Sequence, residues 1–345
     1  MTFSRASDNF SFLRSTVLSA AILSVAVLVI TGCALGDSGS DSNDVVFAVE
    51  IDSNADLFKI DSETGDLIRL TTSVAVDLMP VWSPNKKQIA FISDTNGASA
   101  LWLMDAGGQS KRQISGLNSD ISNFRWAPDS VRIAIENNRV GNGTISILDT
   151  ETDELTPLTT GAENARVGDW SPDGEWVVYE VAEGPDSAIR RRNPNGVDEI
   201  TIASGRSANS RWSRNGQWIA FDRVNEDGSF DLVVIDKDGE NESIVAVGVN
   251  PADPHDWSPD SKQLVYLSGA YGEAEIYVTG RDGNGMKQLT SNRVLDSAPK
   301  WSPDGSSILF LSDGDGSLDV YTMNKDGSQQ TRVTSEDELV LFADW

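Results

Sequence analysis

The stretch Trp170-Ser171-Pro172-Asp173-Gly174 returns along the chain with a nearly constant period. Similar stretches begin at five other tryptophans, and a seventh tryptophan, Trp345, is the last residue of the sequence. The spacings are 44, 44, 42, 45, 44 and 44 residues for the series Trp82, Trp126, Trp170, Trp212, Trp257, Trp301 and Trp345. A fixed period of this length indicates a propeller, in which each repeat forms one four-stranded blade.

Each repeat predicts four strands in the same order. The first strand runs into the tryptophan, and Ser-Pro-Asp-Gly then makes a tight turn, because Pro presets φ and Gly accepts a positive φ. Seven residues after each of the first six tryptophans an apolar run begins, such as Val177-Val178-Tyr179, which is typical of a strand buried on both faces. A third strand and a short polar outer strand follow. We interpret the tryptophans as packing residues between blades, since an indole buries a large apolar area.

The two ends of the repeat region complement each other. Residues 45–72 supply a second, third and fourth strand but no first strand, whereas residues 339–345 supply only a first strand. We therefore expect the last strand to complete the first blade, which closes the ring and removes an exposed sheet edge. The predicted fold is all-β: a seven-bladed β-propeller of four-stranded antiparallel blades over residues 44–345.

Charge and composition restrict the function. The net charge is −26, from 27 basic and 53 acidic residues, which argues against nucleic-acid binding because that binding depends on Lys and Arg. With one Cys and one His, the chain has no internal disulfide and no site that needs several Cys or His ligands. We expect a soluble monomer without a cofactor, and Ca²⁺ is the one alternative.

The first 32 residues resemble a bacterial lipoprotein signal peptide. A fourteen-residue apolar run from Val17 to Ile30 is too short for a comfortable membrane span. It leads into Ile30-Thr31-Gly32-Cys33, which resembles the lipobox and holds the only cysteine of the chain. The resemblance implies cleavage before Cys33 and lipidation of that residue; the alternative is an uncleaved membrane anchor. Residues 33–43 would then be the lipidated Cys and a flexible polar tether.

The residue after the cysteine indicates a location. In enteric lipoproteins an Asp at this position marks retention in the inner membrane, and this chain has Ala34 instead. We therefore expect a lipid anchor in the outer membrane, with the propeller facing the periplasm or the cell surface. The N-terminal lipid would be the only membrane contact.

The repeat resembles the TolB-type, WD-repeat-like propeller repeat of bacterial envelope proteins. The resemblance covers nearly all of residues 44–345, and its departures lie in the turn, at Asn85-Lys86, Ala127, Arg214-Asn215 and the serines at 130 and 261. TolB carries an additional α/β domain for which this sequence has no room, so TolB's own role is not implied. The same repeat also occurs in propellers of serine peptidases and of polysaccharide lyases.

Acidic residues recur in the segments that enter the first strands, four to seven residues before a tryptophan: Asp77, Asp120, Asp253, Asp296 and Glu338. Carboxylates converging there would form a cation site suited to Ca²⁺, and the alternative is solvated charge on loops. His255, which precedes Asp256, is a further candidate for the channel mouth. It could act as a general base, but a packed or channel-lining histidine is the simpler interpretation.

A second calcium hypothesis concerns the stretch Asp313-Gly314-Asp315-Gly316-Ser317-Leu318-Asp319, which resembles the start of a calcium loop. The stretch lacks the distant bidentate Glu of an EF-hand, and it coincides with the turn that every blade has between its second and third strands. The candidate ligands are Asp313, Asp315 and Asp319, and the alternative is a structural turn.

Arginines are concentrated in one part of the ring, blades four and five. Residues 161–223 contain eight Arg and no Lys, so this segment has a net charge near −2 in a strongly acidic protein. Arginine forks recognise carboxylates and phosphates. The candidates for binding an acidic partner or a polyanionic glycan are Arg166, Arg190, Arg191, Arg192, Arg206, Arg211 and Arg214. The alternative is a solvated strand that pairs with nearby acids.

These observations favour a non-enzymatic envelope lipoprotein, a propeller scaffold for protein–protein interaction. Its partner would be an envelope protein or a cell-wall or glycan component. The alternative is a carbohydrate- or ligand-binding propeller, with or without dependence on Ca²⁺, and a lyase or hydrolase is a third class. The sequence offers no complete set of catalytic residues for the third class.

The lipid anchor leads to a first prediction. Cys33→Ser removes the residue to which the acyl chains would be attached, so the variant should move from the membrane to the soluble fraction. Detergent phase partitioning of wild type and variant measures the shift. A variant that still partitions into detergent like wild type would show that Cys33 is not the anchor.

Overall fold

The structure is a computed structural model, and it describes residues 43–345 except for 53, 117–118, 139–141, 184–185, 271–272, 293, 315 and 335–338. The predicted signal peptide, Cys33 and the tether up to residue 42 lie outside the described residues, as do Asp315 and Glu338. The described residues form β-strands joined by turns, and they contain no helix. The same part of the chain accordingly holds no helix of the length and apolar character needed to cross a membrane.

Twenty-eight strands are present in the described residues. In chain order they are β1 (Val45–Ile51), β2 (Asn54–Ile60), β3 (Leu67–Arg69), β4 (Asp77–Trp82), β5 (Gln88–Ser93), β6 (Ala100–Asp105), β7 (Arg112–Gln113), β8 (Ile121–Trp126), β9 (Arg132–Asn137), β10 (Thr144–Asp149), β11 (Leu155–Pro157), β12 (Ala165–Trp170), β13 (Val177–Glu183), β14 (Asp186–Arg192), β15 (Glu199–Ser204), β16 (Ser207–Trp212), β17 (Trp218–Val224), β18 (Phe230–Asp236), β19 (Ser243–Val247), β20 (Asp256–Trp257), β21 (Gln263–Ser268), β22 (Glu275–Gly280), β23 (Lys287–Gln288), β24 (Asp296–Trp301), β25 (Ser307–Ser312), β26 (Asp319–Asn324), β27 (Thr331–Arg332) and β28 (Leu339–Asp344).

These strands form seven antiparallel sheets of four strands, which confirms the predicted seven-bladed propeller for the described part of the chain. Blade 1 has the order β28-β1-β2-β3, so the last strand completes the first blade as predicted. Its register pairs Val46 with Asp344 and Ala48 with Phe342. Blades 2 to 7 each contain four consecutive strands, from β4–β7 to β24–β27.

The second strand of each blade is buried on both faces because it packs against two neighbouring blades. In blade 3, Ile133 and Ile135 pack against blade 2, together with Ala90 and Leu101. Ala134, between them, packs on the opposite side against blade 4. Successive strand residues point to opposite faces, so a continuous apolar run supplies both contacts.

The repeated tryptophans link each blade to the preceding one. Trp170 and Trp257 are buried, and their indole Nε1 atoms donate to the backbone carbonyls of Arg125 (3.1 Å) and Arg211 (3.2 Å). Five of the seven tryptophans donate to a backbone carbonyl in this manner, the others being Trp82, Trp126 and Trp345. The interpretation of the tryptophans as packing residues between blades agrees with these contacts.

The turn after the tryptophan has an internal hydrogen bond and a close neighbour. Ser171 Oγ accepts from the backbone N–H of Trp176 at 2.9 Å, and Gly174 has a φ of +70°. A side chain at Gly174 would meet Pro128 of the preceding blade at 3.4 Å. In two blades a serine replaces this glycine with positive φ, and its hydroxyl accepts from the neighbouring turn, as Ser130 does from the N–H of Asn85 at 3.0 Å. The departure from the repeat pattern therefore adds a hydrogen bond between blades.

Closure of the ring leads to a second prediction. Deleting residues 339–345 removes the buried Val340 and Ala343 and leaves β1 with an open edge. Each lost apolar side chain costs roughly 1–3 kcal/mol, so the thermal midpoint should fall by about 10 °C and unfolding should lose cooperativity. Calorimetry of the purified variants measures both quantities.

Val74→Ser provides the control, because Val74 is fully exposed in a turn and its loss removes no packing. A truncated chain that melts as cooperatively as Val74→Ser would contradict the closing role of β28.

Candidate functional site

The innermost strands of the blades contact one another around the ring, β8 with β12, β12 with β16 and β28 with β4. Each first strand ends in a tryptophan or, for β28, directly before one, and the charge of the residue before that tryptophan alternates in sign at six of the seven positions. We call these seven residues the axial ring: Val81, Arg125, Asp169, Arg211, Asp256, Lys300 and Asp344. Three cations and three anions balance, so the net formal charge of the axial ring is zero.

The three aspartates of the axial ring bind the next blade. Asp169 Oδ2 accepts from the backbone N–H of Trp212 at 3.1 Å, and Asp256 Oδ2 accepts from that of Trp301 at 2.9 Å. Asp344 makes the same bond to Trp82 at 3.1 Å, across the point where the ring closes. Each aspartate therefore holds the tryptophan that follows it in space.

The cations of the axial ring bind more variably. Lys300 Nζ lies 2.9 Å from Asp344 Oδ1 and donates to the carbonyl of Ala343. Arg211 Nη1 donates to the carbonyl of Gly168 at 2.7 Å. Burial and the nearby Arg211 lower the pKa of Arg125 to about 9. These bonds join neighbouring blades near the axis. In the sequence they are recognisable from the charged residue that precedes six of the seven tryptophans.

A second set of carboxylates reaches from β9, β13 and β17 to the next blade. Glu136 Oε2 accepts from the backbone N–H of Val167 at 3.1 Å. Glu180 Oε1 accepts from the Ser210 amide at 2.7 Å and from its hydroxyl at 2.6 Å. Burial raises the pKa of Glu180, and the bonds from Ser210 oppose that rise. These bonds again join neighbouring blades.

His255 occupies the place in its blade that Ser210 has in blade 5. Its Nδ1 lies 3.3 Å from Oδ1 of Asp222, the carboxylate that corresponds to Glu180. A carboxylate beside Nδ1 is also the arrangement that orients imidazole bases in hydrolases. However, His255 is only 3% exposed, so a reactant could reach it only after the first strands separated. The contacts therefore assign His255 to the links between blades.

The acidic residues predicted for the channel mouth take up different positions. Asp77 and Asp296 are buried within blades 2 and 7, and Ser312 Oγ donates to Asp296 Oδ1 at 2.6 Å. Burial raises the pKa of Asp77, of Asp296 and of Asp253, and Asp253 also lies beside Ala298 and Lys300. Asp120 is exposed. Within the described residues, no group of three or more His, Cys, Asp or Glu side chains is arranged to hold a metal ion.

The calcium candidates that can be described have structural partners. Asp313 Oδ1 accepts from the backbone N–H of Leu295 at 2.8 Å. Asp319 is fully buried and bonds to Arg332 at 2.5 Å and to the hydroxyl of Thr334 at 2.8 Å. Asp313 thus binds the segment that leads into β24, and Asp319 binds the outer strand β27 and the residues after it, all in blade 7.

The arginine strand β14 joins three blades. Arg191 Nη2 lies 3.0 Å from Asp238 of blade 5, and its guanidinium lies 4.4 Å from the centre of the Trp176 ring. Arg192 points the other way and bonds to Glu163 at 3.2 Å. Alternation along the strand therefore aims neighbouring arginines at opposite blades.

The other candidate arginines are divided between the axis and the surface. Arg190 lies 3.5 Å from Glu199, a carboxylate that Arg192 also contacts, and Arg211 belongs to the axial ring. Arg166, Arg206 and Arg214 are exposed, and Arg214 lies 3.6 Å from Asp256. The sequence could identify the cluster but not which members face solvent.

The outer strands of blades 4 and 5 differ from the others in length. β15 has six residues and β19 has five, whereas the outer strands of the other five blades have two or three in the described residues. Apolar side chains on them face solvent: Ile200 is 38% exposed, Ile244 54% and Val247 70%. A long outer strand with exposed apolar residues offers unpaired backbone groups to another chain. We call β15 and β19 the long edges.

Comparison with known proteins agrees with this architecture. The model of the TolB beta propeller domain matches residues 38–165 and 211–345. The chain belongs to the TolB beta propeller domain family. The unmatched residues, 166–210, include β14 and β15, so the family pattern is interrupted in the blade that carries the arginine strand and one long edge.

Three similar proteins match this chain over different fractions of its length. The Bacillus subtilis uncharacterized peptidase YuxL is 27% identical over 169 residues, which is 47% of this chain but only 24% of that protein. TolB from Acinetobacter baumannii superimposes with a TM-score of 0.59 at 17% identity, over 75% of this chain and 66% of its own. Oligogalacturonate lyase from Vibrio parahaemolyticus superimposes with a TM-score of 0.64 at 17% identity, over 82% and 86%. At these identities the two solved structures support the fold alone.

The axial ring leads to a third prediction. Asp169→Ala leaves the N–H of Trp212 without its acceptor, and an unsatisfied buried donor costs about 1–3 kcal/mol. The free energy of unfolding should fall by that amount in chemical denaturation. Glu175→Ala, at an exposed position in the same blade, should change it by less than about 0.5 kcal/mol. Equal free energies of unfolding for the two variants would contradict a stabilising role of the Asp169 bond.

Proposed function

We propose that this protein is a binding scaffold of the bacterial cell envelope, whose partner is another envelope protein that docks on the long edges of blades 4 and 5. The observation that carries the proposal is the length and apolar exposure of β15 and β19. The other five outer strands have only two or three residues in the described part of the chain, so each could pair with no more than a short piece of an incoming strand. β15 and β19 each offer a full strand's length.

The mode of binding follows from strand chemistry. An extended segment that adds to a sheet edge gains main-chain hydrogen bonds, and alternate side chains supply specificity. Ile244 and Val247 would provide the apolar contacts on β19, and Ile200 would do so on β15. Burying such side chains contributes roughly 1.5–3 kcal/mol each. The outer strands β3 and β11 also carry exposed apolar residues, but β15 and β19 combine such residues with a longer run of backbone.

Charge supports the same part of the ring. The protein repels other acidic surfaces overall, but residues 161–223 are nearly neutral because of their arginines. An acidic partner would therefore meet less repulsion at this part of the ring than elsewhere. Among the exposed arginines, Arg206 lies just after the end of β15, whereas Arg166 and Arg214 lie on or next to the innermost strands β12 and β16. Arg191 and Arg192 contribute indirectly, because they fix β14 and thereby the β15 strand that pairs with it.

The lipid anchor at Cys33 is part of the proposal. Several acyl chains on that residue would hold the protein at the outer membrane. An eleven-residue flexible tether reaches roughly 18 Å, so the propeller would stay close to the membrane while its rim remained accessible. Family members occur both as envelope proteins and within enzymes, and peptidase or lyase activity is a competing hypothesis for this chain.

A fourth prediction tests the docking edge in intact cells. A photo-crosslinking amino acid at position 244 should capture one defined envelope protein, identified by mass spectrometry. Ile244→Asp places a charge on the edge and should reduce recovery of that partner at least tenfold in a detergent pull-down, because charged side chains block strand addition.

Position 67 provides the matched control. Leu67 is an exposed apolar residue on the outer strand β3 of blade 1, where the edge is three residues long. Leu67→Asp should leave recovery of the partner unchanged. Equal crosslinking from positions 67 and 244, or full recovery with Ile244→Asp, would exclude the long edges as the docking site.

A further inference from the structure

Blade 2 contains a small cavity that is separate from the long edges and the axial ring. Its volume is about 260 Å³. The connection from β3 to β4 forms one side, and β5, β6 and the residue before β7 form the rest. The lining residues are Thr71, Thr72, Ser73, Asp77, Phe91, Thr95, Trp102 and Lys111. Buried residues form its floor, and exposed hydroxyl groups and Lys111 form its mouth.

Two polar atoms of the lining are buried without a hydrogen-bond partner in the described part of the protein. They are Oδ1 of Asp77, a residue that is only 2% exposed, and Nε1 of Trp102. Leaving such groups unpaired costs about 1–3 kcal/mol each, so a pair of them in one cavity calls for an explanation. One is an acceptor or, when protonated, a donor, and the other is a donor.

The apolar part of the cavity is aromatic. The rings of Phe91 and Trp102 lie 6.4 Å apart and are tilted by 30°. Aromatic faces bury the C–H surface of a flat ligand, while polar groups at their edge fix its orientation.

Blade 7 shows what makes this cavity distinctive. At a constant offset it repeats the same framework, with Asp296 in place of Asp77, Phe310 in place of Phe91 and Tyr321 in place of Trp102. There, Asn292 donates its amide to Asp296 Oδ1 at 3.4 Å. Asp296 Oδ2 is buried without a partner in the described residues, as Asp77 Oδ1 is, but blade 7 has Tyr321 in place of the unpaired indole of Trp102. The corresponding residue in blade 2 is Ser73, whose hydroxyl accepts from the N–H of Ala75 at 3.2 Å. The shorter side chain leaves room beside Asp77.

The lining restricts the chemistry of an occupant. The lining contains one acidic residue, Asp77, and one basic residue, Lys111, so its charge favours neither an anionic nor a cationic ligand. An acceptor, an indole donor and several hydroxyls together require a ligand that both donates and accepts. The volume lies just below the 300–1,000 Å³ of pockets for drug-sized ligands, so it suits one ring rather than a chain.

We propose that this cavity binds a neutral monosaccharide, either free or as the end of a glycan, with the sugar ring against Trp102 and hydroxyl groups on Asp77 Oδ1 and Trp102 Nε1. Sugar hydroxyls donate and accept, and their ring C–H groups suit the aromatic wall. Burial raises the pKa of Asp77, with the Ser93 hydroxyl opposing that rise, and a carboxyl in either protonation state can bond a hydroxyl. The site does not depend on the docking function proposed for blades 4 and 5.

The fifth prediction concerns direct binding. The full chain in detergent is titrated with D-glucose, D-galactose, N-acetyl-D-glucosamine and the charged sugars D-galacturonate and D-glucosamine. The indole N–H resonances are observed by NMR, and Trp102→Tyr identifies the signal of Trp102. At least one neutral sugar should bind saturably with a Kd on the order of 1 mM and shift the Trp102 signal, and the charged sugars should bind at least threefold more weakly.

Variants separate the cavity from the rest of the protein. Asp77→Asn and Trp102→Tyr should each weaken binding at least tenfold, and Trp102→Tyr should fold because blade 7 carries Tyr at the same place. Asp296→Asn is the matched control and should bind like wild type. Three outcomes would overturn the proposal: no saturable shift of Trp102 with any neutral sugar at 100-fold above that Kd, tighter binding of a charged sugar, or equal loss in Asp296→Asn.

Discussion

Each blade is held to its neighbour at the tryptophan that ends the first strand, and the rest of the structure depends on this link. At five of the seven tryptophans the indole donates to a carbonyl of the preceding blade, as Trp170 does to Arg125. At three of the seven an axial-ring aspartate binds the backbone N–H, as Asp169 does for Trp212. Both bonds lie where the blades are closest to the axis. Outer strands and surface turns can vary because the position of each blade is already determined there.

The sequence predicts the fold because its signals are local. The period of the tryptophans, the Ser-Pro-Asp-Gly turn and the apolar run seven residues later lie within one repeat, and the incomplete end segments implied closure through residues 339–345. The roles of Arg191 and Arg192 could not be predicted in this way. Their partners, Asp238 and Glu163, belong to neighbouring blades, so pairing depends on which face of β14 meets which blade. Asp77 and Asp296 were expected in loops, whereas the structure places them at the start of β4 and β24, where both are buried.

The proposed docking edges and the proposed sugar site lie where the repeats differ from one another. Blades 2 and 7 share an aspartate, a phenylalanine and a second aromatic residue at matching positions. Blade 2 has Ser73 where blade 7 has Asn292, and the cavity lies in blade 2. Blades 4 and 5 keep the common framework but lengthen the outer strand. In both cases the difference lies outside the innermost strands, which carry the links between blades.

The axial ring also has a consequence for the number of blades. Opposite charges cannot alternate strictly around an odd number of positions, since two like charges would meet at one place. Here the uncharged Val81 stands between Asp344 and Arg125, at the junction of blades 1 and 2 where the chain closes. Losing a repeat from within the charged series would bring two aspartates or two cations together. Seven positions are therefore compatible with the alternation of the six charged residues only because the seventh, Val81, carries no charge.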